Sequence, residues 1–336
     1  MTNRETQISG FLQRTGRGDW SRTAVAGDAS ARRYERLTNS DGRSLILMDA
    51  PPETGETIRP FVRIANFLRS QDVSAPIIVA EDPDQGLLLT EDLGDQRFYE
   101  ILKADPGQED ALYALATDLL VHLHKTPASN LTVALEPLGP RLMAEMSSLV
   151  ITCYRDGILG TSNSGLLPRF ENQFEDILRQ TIKGEAVFVH RDFHVQNLMY
   201  LPEREGLAQI GVIDFQDART GHPAYDLVSL LQDARRDVPA AIEARMIDRY
   251  LQGSGLDASG FRTAYAVIGV QRNLRILGIF ARLAQERGKP QYLDLVPRVW
   301  AHVVRGLEHP ALAQLAEWLL KELPASTPEN LAKLRR

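Results

Sequence analysis

The chain has 336 residues, of which 43% are hydrophobic and 24% charged, a balance that fits a globular protein of one large domain or two lobes. Its formal net charge of −6 argues against nucleic acid or an anionic membrane as the main partner, and its one cysteine, Cys153, excludes an internal disulfide and points to a reducing cytoplasm. The opening MTNRETQISGFLQRTG carries charge throughout, unlike a signal peptide, and no stretch reaches the roughly 18 apolar residues of a membrane span.

The first ninety residues read as strands with one helix. Trp20–Val25, Arg32–Thr38 and Arg43–Asp49 hold β-formers between the turn residues GDAS and NSDG. Ile58–Gln71 then sets Ile58, Phe61, Val62, Ala65 and Leu68 on one helical stripe. Ile77–Ala80 and Gly86–Thr90 flank the turn EDPDQ as a hairpin. From Arg97 onward the pattern is mainly helical: Asp110–His124, Arg141–Asp156, Phe170–Lys183, Ala241–Leu251, Arg262–Glu286 and Pro310–Glu322. Thr161–Pro168 reads as a loop. A strand-rich island runs from Val187 to Phe215. The reading is a small β-rich lobe over 1–90, a tie over 91–95, and a larger helical lobe over 96–336.

The island contains VFVHRDFHVQNLMY, where His190 and His194 stand four apart. A zinc protease would need that pair on a helix with Glu after the first His, but Arg191 stands there and AVFV makes the segment a strand end. A phosphoryl-transfer reading explains more residues. H-R-D-x-x-x-x-N puts Asp192 where it can accept a hydroxyl proton and Asn197 where it can reach Mg²⁺. Seventeen residues after Asn197, GVIDFQD ends a short apolar strand at Asp214. A two-strand ribbon, Leu198–Leu201 with Ile210–Ile213, returns the chain so that Asn197 and Asp214 can share a cation.

HRDFHVQN followed by VIDFQDARTGHPAYDL resembles the aminoglycoside phosphotransferase and choline kinase-like family. The resemblance runs from about Ala26 to Leu283 and implies an α+β, bilobal, protein-kinase-like fold that phosphorylates small molecules with ATP and Mg²⁺. GDASARRYERL, LILMDAPP, LLLTEDLGD and QRNLRILGIFARL are similar to bacterial kinases of cell-wall amino sugars, which act on the anomeric hydroxyl of N-acetylmuramate or N-acetylglucosamine in peptidoglycan recycling. The resemblance implies Asp192 as base and Asn197 and Asp214 as Mg²⁺ ligands. It also implies that Asp226 supports the catalytic loop through hydrogen bonds to its backbone and that His190 is structural. Asp226 also reads simply as a carboxylate favoured at a helix N-terminus. Gly27, Asp28, Ala29, Ser30, Arg32 and Arg33 fall at the phosphate-covering loop, and Glu91, Asp92 and Leu93 at the adenine-facing hinge.

One departure stands out. The lysine expected in the third strand is missing, with Met48 in its place, and Ile58–Gln71 holds no glutamate to pair with it. Arg32, Arg33 or Arg63 is expected to supply the cation. Only eleven residues separate Asp214 from Asp226, too few for a protein kinase's activation segment, so the acceptor is small. Arg272, Arg275 and Arg282 on the helix QRNLRILGIFARL read either as a solvated face or as a pocket lining that favours an anionic or neutral sugar over a polycationic antibiotic. His194, Gln196 and Gln216 are candidate acceptor contacts. No obligate protein partner is evident. An aminoglycoside, choline or homoserine phosphotransferase is the runner-up, with a nucleotide-binding pseudokinase and a metal hydrolase beyond it.

Overall fold

The computed structural model describes residues 3–25 and 32–335. In chain order it opens with helix α1 (Asn3–Arg14), strands β1 (Ser21–Val25), β2 (Arg33–Thr38) and β3 (Ser44–Asp49), helix α2 (Arg59–Ser70), strands β4 (Ile78–Asp82) and β5 (Leu87–Glu91), and helix α3 (Phe98–Ala104). Helices α4 (Glu109–Leu123), α5 (Pro140–Ser147), α6 (Asp156–Leu159) and α7 (Leu166–Thr181) follow, with a π-helical turn at Val150–Arg155. The island gives β6 (Val187–Val189), β7 (Leu198–Tyr200), β8 (Ile210–Val212) and β9 (Arg219–Gly221). The rest is helical: α8 (Ala224–Leu231), α9 (Ala240–Ser254), α10 (Ala258–Glu286), α11 (Val296–Leu307), α12 (Ala313–Glu322) and α13 (Pro328–Ala332).

Two compact units divide the chain, the first made of the described residues of Met1–Gln108 with Gln196–Ala218, the second of Glu109–Val195 with the described residues of Arg219–Arg336. This differs from a partition at residues 91–95, and the physical reason lies in the ribbon. Within the first unit β7 and β8 pair antiparallel, Ser74 bridges to Gly211, Arg97 bridges to Met199, and the Ser74 hydroxyl donates to the Ala208 carbonyl at 2.7 Å. Gly211 is required there, because a Cβ would meet Leu93 Cδ1 at 2.9 Å and Met199 Cβ at 3.0 Å. These backbone bonds between residues far apart in sequence give no local signal.

The first unit is built on an antiparallel sheet in the order β1-β2-β3-β5-β4. Side chains alternate faces along each strand. Leu37, Leu47, Leu87 and Leu89 form a buried cluster with Ile8, Phe11 and Leu12 of α1. Tyr34 and Met48 are cross-strand partners and project from the opposite face. Helix α1, like α3, is an element the sequence reading lacks. Its apolar residues stand at the i, i+3, i+4 spacing of a single narrow stripe, and Gly10 and the polar remainder dilute that signal.

The second unit is organised around α10, 29 residues long and buried on most of its circumference. Asp257 caps it by accepting the Gly260 N–H at 2.6 Å. Gly278 lets it approach the chain just before the π-helical turn, since a Cβ would lie 2.3 Å from the Leu149 carbonyl carbon. The stretch expected as one helix over 141–156 is instead α5, the π-helical turn and α6, and α7 starts inside the segment expected as a loop. Among the described residues no helix is long and apolar enough to cross a membrane.

Candidate active site

In the second unit β6 pairs with β9, placing Val189 opposite Arg219, and the chain leaves the sheet at His190. His190 is buried and its ring meets Phe193 edge-on at 5.7 Å. Arg191 takes φ 77°, left-handed backbone that costs a non-glycine residue about 1–2 kcal/mol. The fully buried Asp226, in the first turn of α8, holds this turn in place. Its carboxyl accepts the His190 N–H at 2.6 Å and the Arg191 N–H at 2.9 Å. Burial pushes Asp226 up to about 7, against the pull of those two N–H groups.

The turn delivers Asp192, whose Oδ1 lies 3.9 Å from Arg272 Nη2 on α10. Burial raises the Asp192 carboxyl, but the charges of Arg272, His194, Arg275 and Arg191 outweigh it and hold the group below the ordinary aspartate value. Asp192 is therefore a carboxylate at neutral pH. Arg272 is buried and Arg275 half-buried, whereas Arg282 is exposed; of the two sequence readings, the solvated face holds for Arg282 alone. His194 is also buried, its Nε2 3.4 Å from Arg235 Nη1, and burial pushes its imidazole down to about 4. Arg235 and the buried Asp233 complete this cluster. Sequence reasoning missed both, because the charges of QDARRD look like a solvated turn.

In the first unit the ribbon brings Asn197 and Asp214 together. The Ile213 N–H donates to the Asn197 carbonyl at 3.1 Å, and Asn197 Nδ2 lies 3.4 Å from Asp214 Oδ2. Asp214 is exposed and takes φ 65°, while Gln216 Nε2 donates to its Oδ1 at 2.8 Å. Phe215 is anchored against Phe61 of α2, ring centroids 4.7 Å apart. Among the described residues Arg191 and Asp214 are two of three non-glycine residues at positive φ, and the third, Asp72, merely terminates α2. Strain of this kind persists where surrounding structure over-determines it, as at functional sites. Gln196 is half-buried.

The candidate nucleotide-side residues fare differently. Gly27, Asp28, Ala29 and Ser30 lie outside the described residues. Arg33 is bound to Asp49 at 2.6 Å, sharing that buried carboxylate with Arg4, and Arg63 is exposed on α2. Arg32 is different: it is largely buried and pairs with Glu56 at 2.8 Å. Its charge also acts on Tyr34, the cross-strand partner of Met48, the position where lysine was expected. Burial raises the Tyr34 hydroxyl, Arg32 opposes this and the charge of Asp214 adds to it. Helix α2 holds no glutamate, and the carboxylate that pairs with Arg32 is Glu56, which sits before α2 rather than within it.

At the hinge, side chains are spent on structure. Arg36 holds Asp92 at 2.6 Å and Asp95 at 2.8 Å, Arg204 holds Glu91 at 2.5 Å, and Leu93 packs on Met199, Leu201 and Ile213. The Glu91 N–H is spent as well, donating to the Ile77 carbonyl at 2.8 Å, so it is backbone groups of Asp92 and Leu93 that are left to meet a ligand. Among the described residues no three or more His, Cys, Asp or Glu side chains gather into a metal-holding group.

A model of the phosphotransferase enzyme family matches residues 21–266. The chain belongs to this family. This phosphotransferase is 36% identical to an N-acetylmuramate/N-acetylglucosamine kinase of Caulobacter vibrioides, covering 97% of the chain and 98% of that protein. It is also 36% identical to a protein of the same name from Pseudomonas putida, covering 91% and 89%. In fold it matches an aminoglycoside 2'-phosphotransferase in complex with GDP, with a TM-score of 0.63 at 12% identity over 89% of this chain and 98% of that one. It also matches a choline kinase from Streptococcus pneumoniae, at 0.59 and 11% over 93% and 100%. The small antiparallel sheet and the larger helical part are thus the expected α+β, kinase-like architecture of these enzymes.

The buried and half-buried histidines of the second unit set a pH dependence. Burial lowers His124 to about 3, and His194 and His222 to about 4, below the usual 6.5. A depressed folded-state value contributes stability that is present above 6.5 and lost as pH falls towards 4. Asp226, raised to about 7 from 3.8, acts the other way, gaining stability as pH falls through that window. By pH 5 each histidine loses on the order of 2 kcal/mol and Asp226 returns about as much as one of them, so the histidines prevail. The melting temperature is expected to fall between pH 7 and pH 5. The His222→Asn variant, which keeps an acceptor for the Ala224 N–H, should show a shallower fall; an unchanged slope would exclude His222 as a contributor.

Proposed function

We propose that this phosphotransferase moves the γ-phosphoryl group of ATP to the anomeric hydroxyl of a small amino sugar, N-acetylmuramate or N-acetylglucosamine. The observation that carries the reading is Asp192, held as a carboxylate beside the buried guanidinium of Arg272. An aspartate at this position of H-R-D-x-x-x-x-N receives the acceptor hydroxyl. The arginines around it disfavour polycationic antibiotics and choline, and suit a neutral or anionic sugar. The relatives that share nearly the whole chain bear names of the same chemistry.

In this proposal the chain divides functionally into a nucleotide lobe over 1–90, a hinge over 91–95 and an acceptor lobe over 96–336. Asp192 orients the hydroxyl and takes its proton late, as suits a weak base and a loose transition state. Asn197 and Asp214 would hold Mg²⁺. One carboxylate and one amide oxygen fit that hard cation, which binds through few protein ligands and completes its shell with phosphate oxygens and water. Bound there, Mg²⁺ neutralises charge on the β- and γ-phosphates. Arg32, oriented by Glu56, stands in for the lysine and grips phosphate, while His194 and Gln216 order the acceptor side and the metal side. Setting, by this reading, is the cytoplasm, where ATP and a reduced Cys153 coexist.

The test is ATP consumption across N-acetylmuramate, N-acetylglucosamine, aminoglycosides, choline and homoserine, with turnover expected on the two acetylated sugars. Turnover on aminoglycosides alone would overturn the acceptor assignment. Asp192→Asn should keep ATP binding and lose turnover by about 10²–10⁴-fold. Asp214→Ala should lose Mg²⁺-dependent nucleotide binding, and a normal rate in either variant removes the assigned role.

The nucleotide grip is tested separately. Arg32→Met should raise the KM for ATP by about tenfold or more, and Arg33→Met should leave it nearly unchanged. The reverse ranking would transfer the role to Arg33.

A further inference from the structure

The second unit contains a charge that its own residues leave unsatisfied. The Arg272 side chain is 5% exposed, yet its guanidinium makes no hydrogen bond among the described residues, and its Nε is buried without a partner. Asp192 Oδ1, at 3.9 Å, attracts it electrostatically but lies beyond hydrogen-bond reach. Elsewhere the same fold satisfies a buried arginine fully. Arg155 donates to Asp156 at 2.6 Å and to Glu322 at 3.0 Å and 3.2 Å. A guanidinium offers five donors in a rigid fork, and burying them unused is costly, so an exception invites a ligand. Asp233 lies in the same cluster, since both it and Arg272 act on His194, and its buried Oδ2 is likewise without a partner. An unused donor fork and an unused acceptor together complement a sugar bearing both a carbonyl and hydroxyls.

Which group meets the fork follows from the proposed acceptors, on which this inference rests. N-acetylmuramate carries a carboxylate and N-acetylglucosamine does not, so a residue serving both must read what they share. Both have an acetamide on the ring carbon next to the anomeric one. With the anomeric hydroxyl at Asp192, a guanidinium 3.9 Å from that carboxylate is within range of the neighbouring carbonyl. We propose that Arg272 donates to the acetamido carbonyl oxygen of the acceptor, so that the enzyme selects N-acylated amino sugars and rejects the free amine. The rejection follows from charge. A 2-amino sugar is an ammonium ion near neutral pH, and it would face a buried cation with Arg275 and Arg235 close by.

The test compares N-acetylglucosamine, glucosamine and glucose as acceptors for the wild type, Arg272→Met and Arg272→Lys, with melting temperatures and calorimetric binding of N-acetylglucosamine alongside. The wild type should prefer N-acetylglucosamine to glucosamine by about 100-fold or more in kcat/KM. Arg272→Met should shrink that preference at least about tenfold, mainly by raising KM for the acetylated sugar, and should abolish its calorimetric signal. Arg272→Lys, which keeps the charge and loses the fork, should still reject glucosamine. Arg272→Met should leave the melting temperature close to that of the wild type, because removing a buried fork that makes no hydrogen bond offsets the lost attraction to Asp192. An equal loss of kcat on all three sugars with the preference intact would overturn the proposal and leave Arg272 acting on Asp192 alone. A melting temperature lowered by several degrees with KM unchanged would make it structural. Binding and turnover absent for every sugar in the wild type would instead bring down the proposed acceptor, and this inference with it.

Discussion

The site depends on one carboxyl group holding two backbone N–H groups. Asp226 bonds the amides of His190 and Arg191 at 2.6 Å and 2.9 Å, at the point where β6 ends and Arg191 turns left-handed. Left-handed backbone costs an arginine about 1–2 kcal/mol, while each of two such bonds contributes about 1–2 kcal/mol, so the clamp suffices to hold the turn. Its consequence is directional. With His190 and Phe193 buried on either side, Asp192 is the member of the turn left to face the α10 arginines.

Charge placement explains the departures from a standard kinase. Met48 is buried in the sheet where a lysine is expected, and the cation that stands near its cross-strand partner Tyr34 is Arg32, held by Glu56. In the second unit Arg272 and Arg275 keep Asp192 ionised despite its partial burial. A carboxylate so stabilised is a weak base, adequate where the transition state is loose and the hydroxyl's proton leaves late. The two units thus handle buried charge differently, one by pairing Arg32 within the chain and the other by leaving Arg272 without a hydrogen bond among the described residues.

Much of this could be read from sequence wherever chemistry is local in the chain. H-R-D to N, the ribbon, and the aspartate in GVIDFQD are each fixed by spacing over a few residues, and their strands form as the β-branched runs require. Asp226 was legible because a helix N-terminus and a family motif coincide there. What escaped depends on long-range packing. The stripe Ile8, Phe11 and Leu12 is too short to announce α1 until the sheet face of Leu37, Leu47 and Leu89 is present. Glu56 escaped because it lies in irregular backbone just before α2, where no helical pattern marks it. Arg272 looked like any helix arginine, and only the surrounding helices decide that it is buried while Arg282 is not.

The claim that Asp226 works through Asp192 is most directly tested by a double-mutant cycle on turnover, with Asp226→Asn, Asp192→Asn and the pair, each checked for retained nucleotide binding. The amide keeps one acceptor and turns its NH₂ against the other backbone N–H, so the turn loosens. The account predicts that Asp226→Asn alone slows turnover by about 10²-fold, and that in the Asp192→Asn background it adds almost nothing, since there is no base left to position. Independent, multiplying losses in the pair would contradict it.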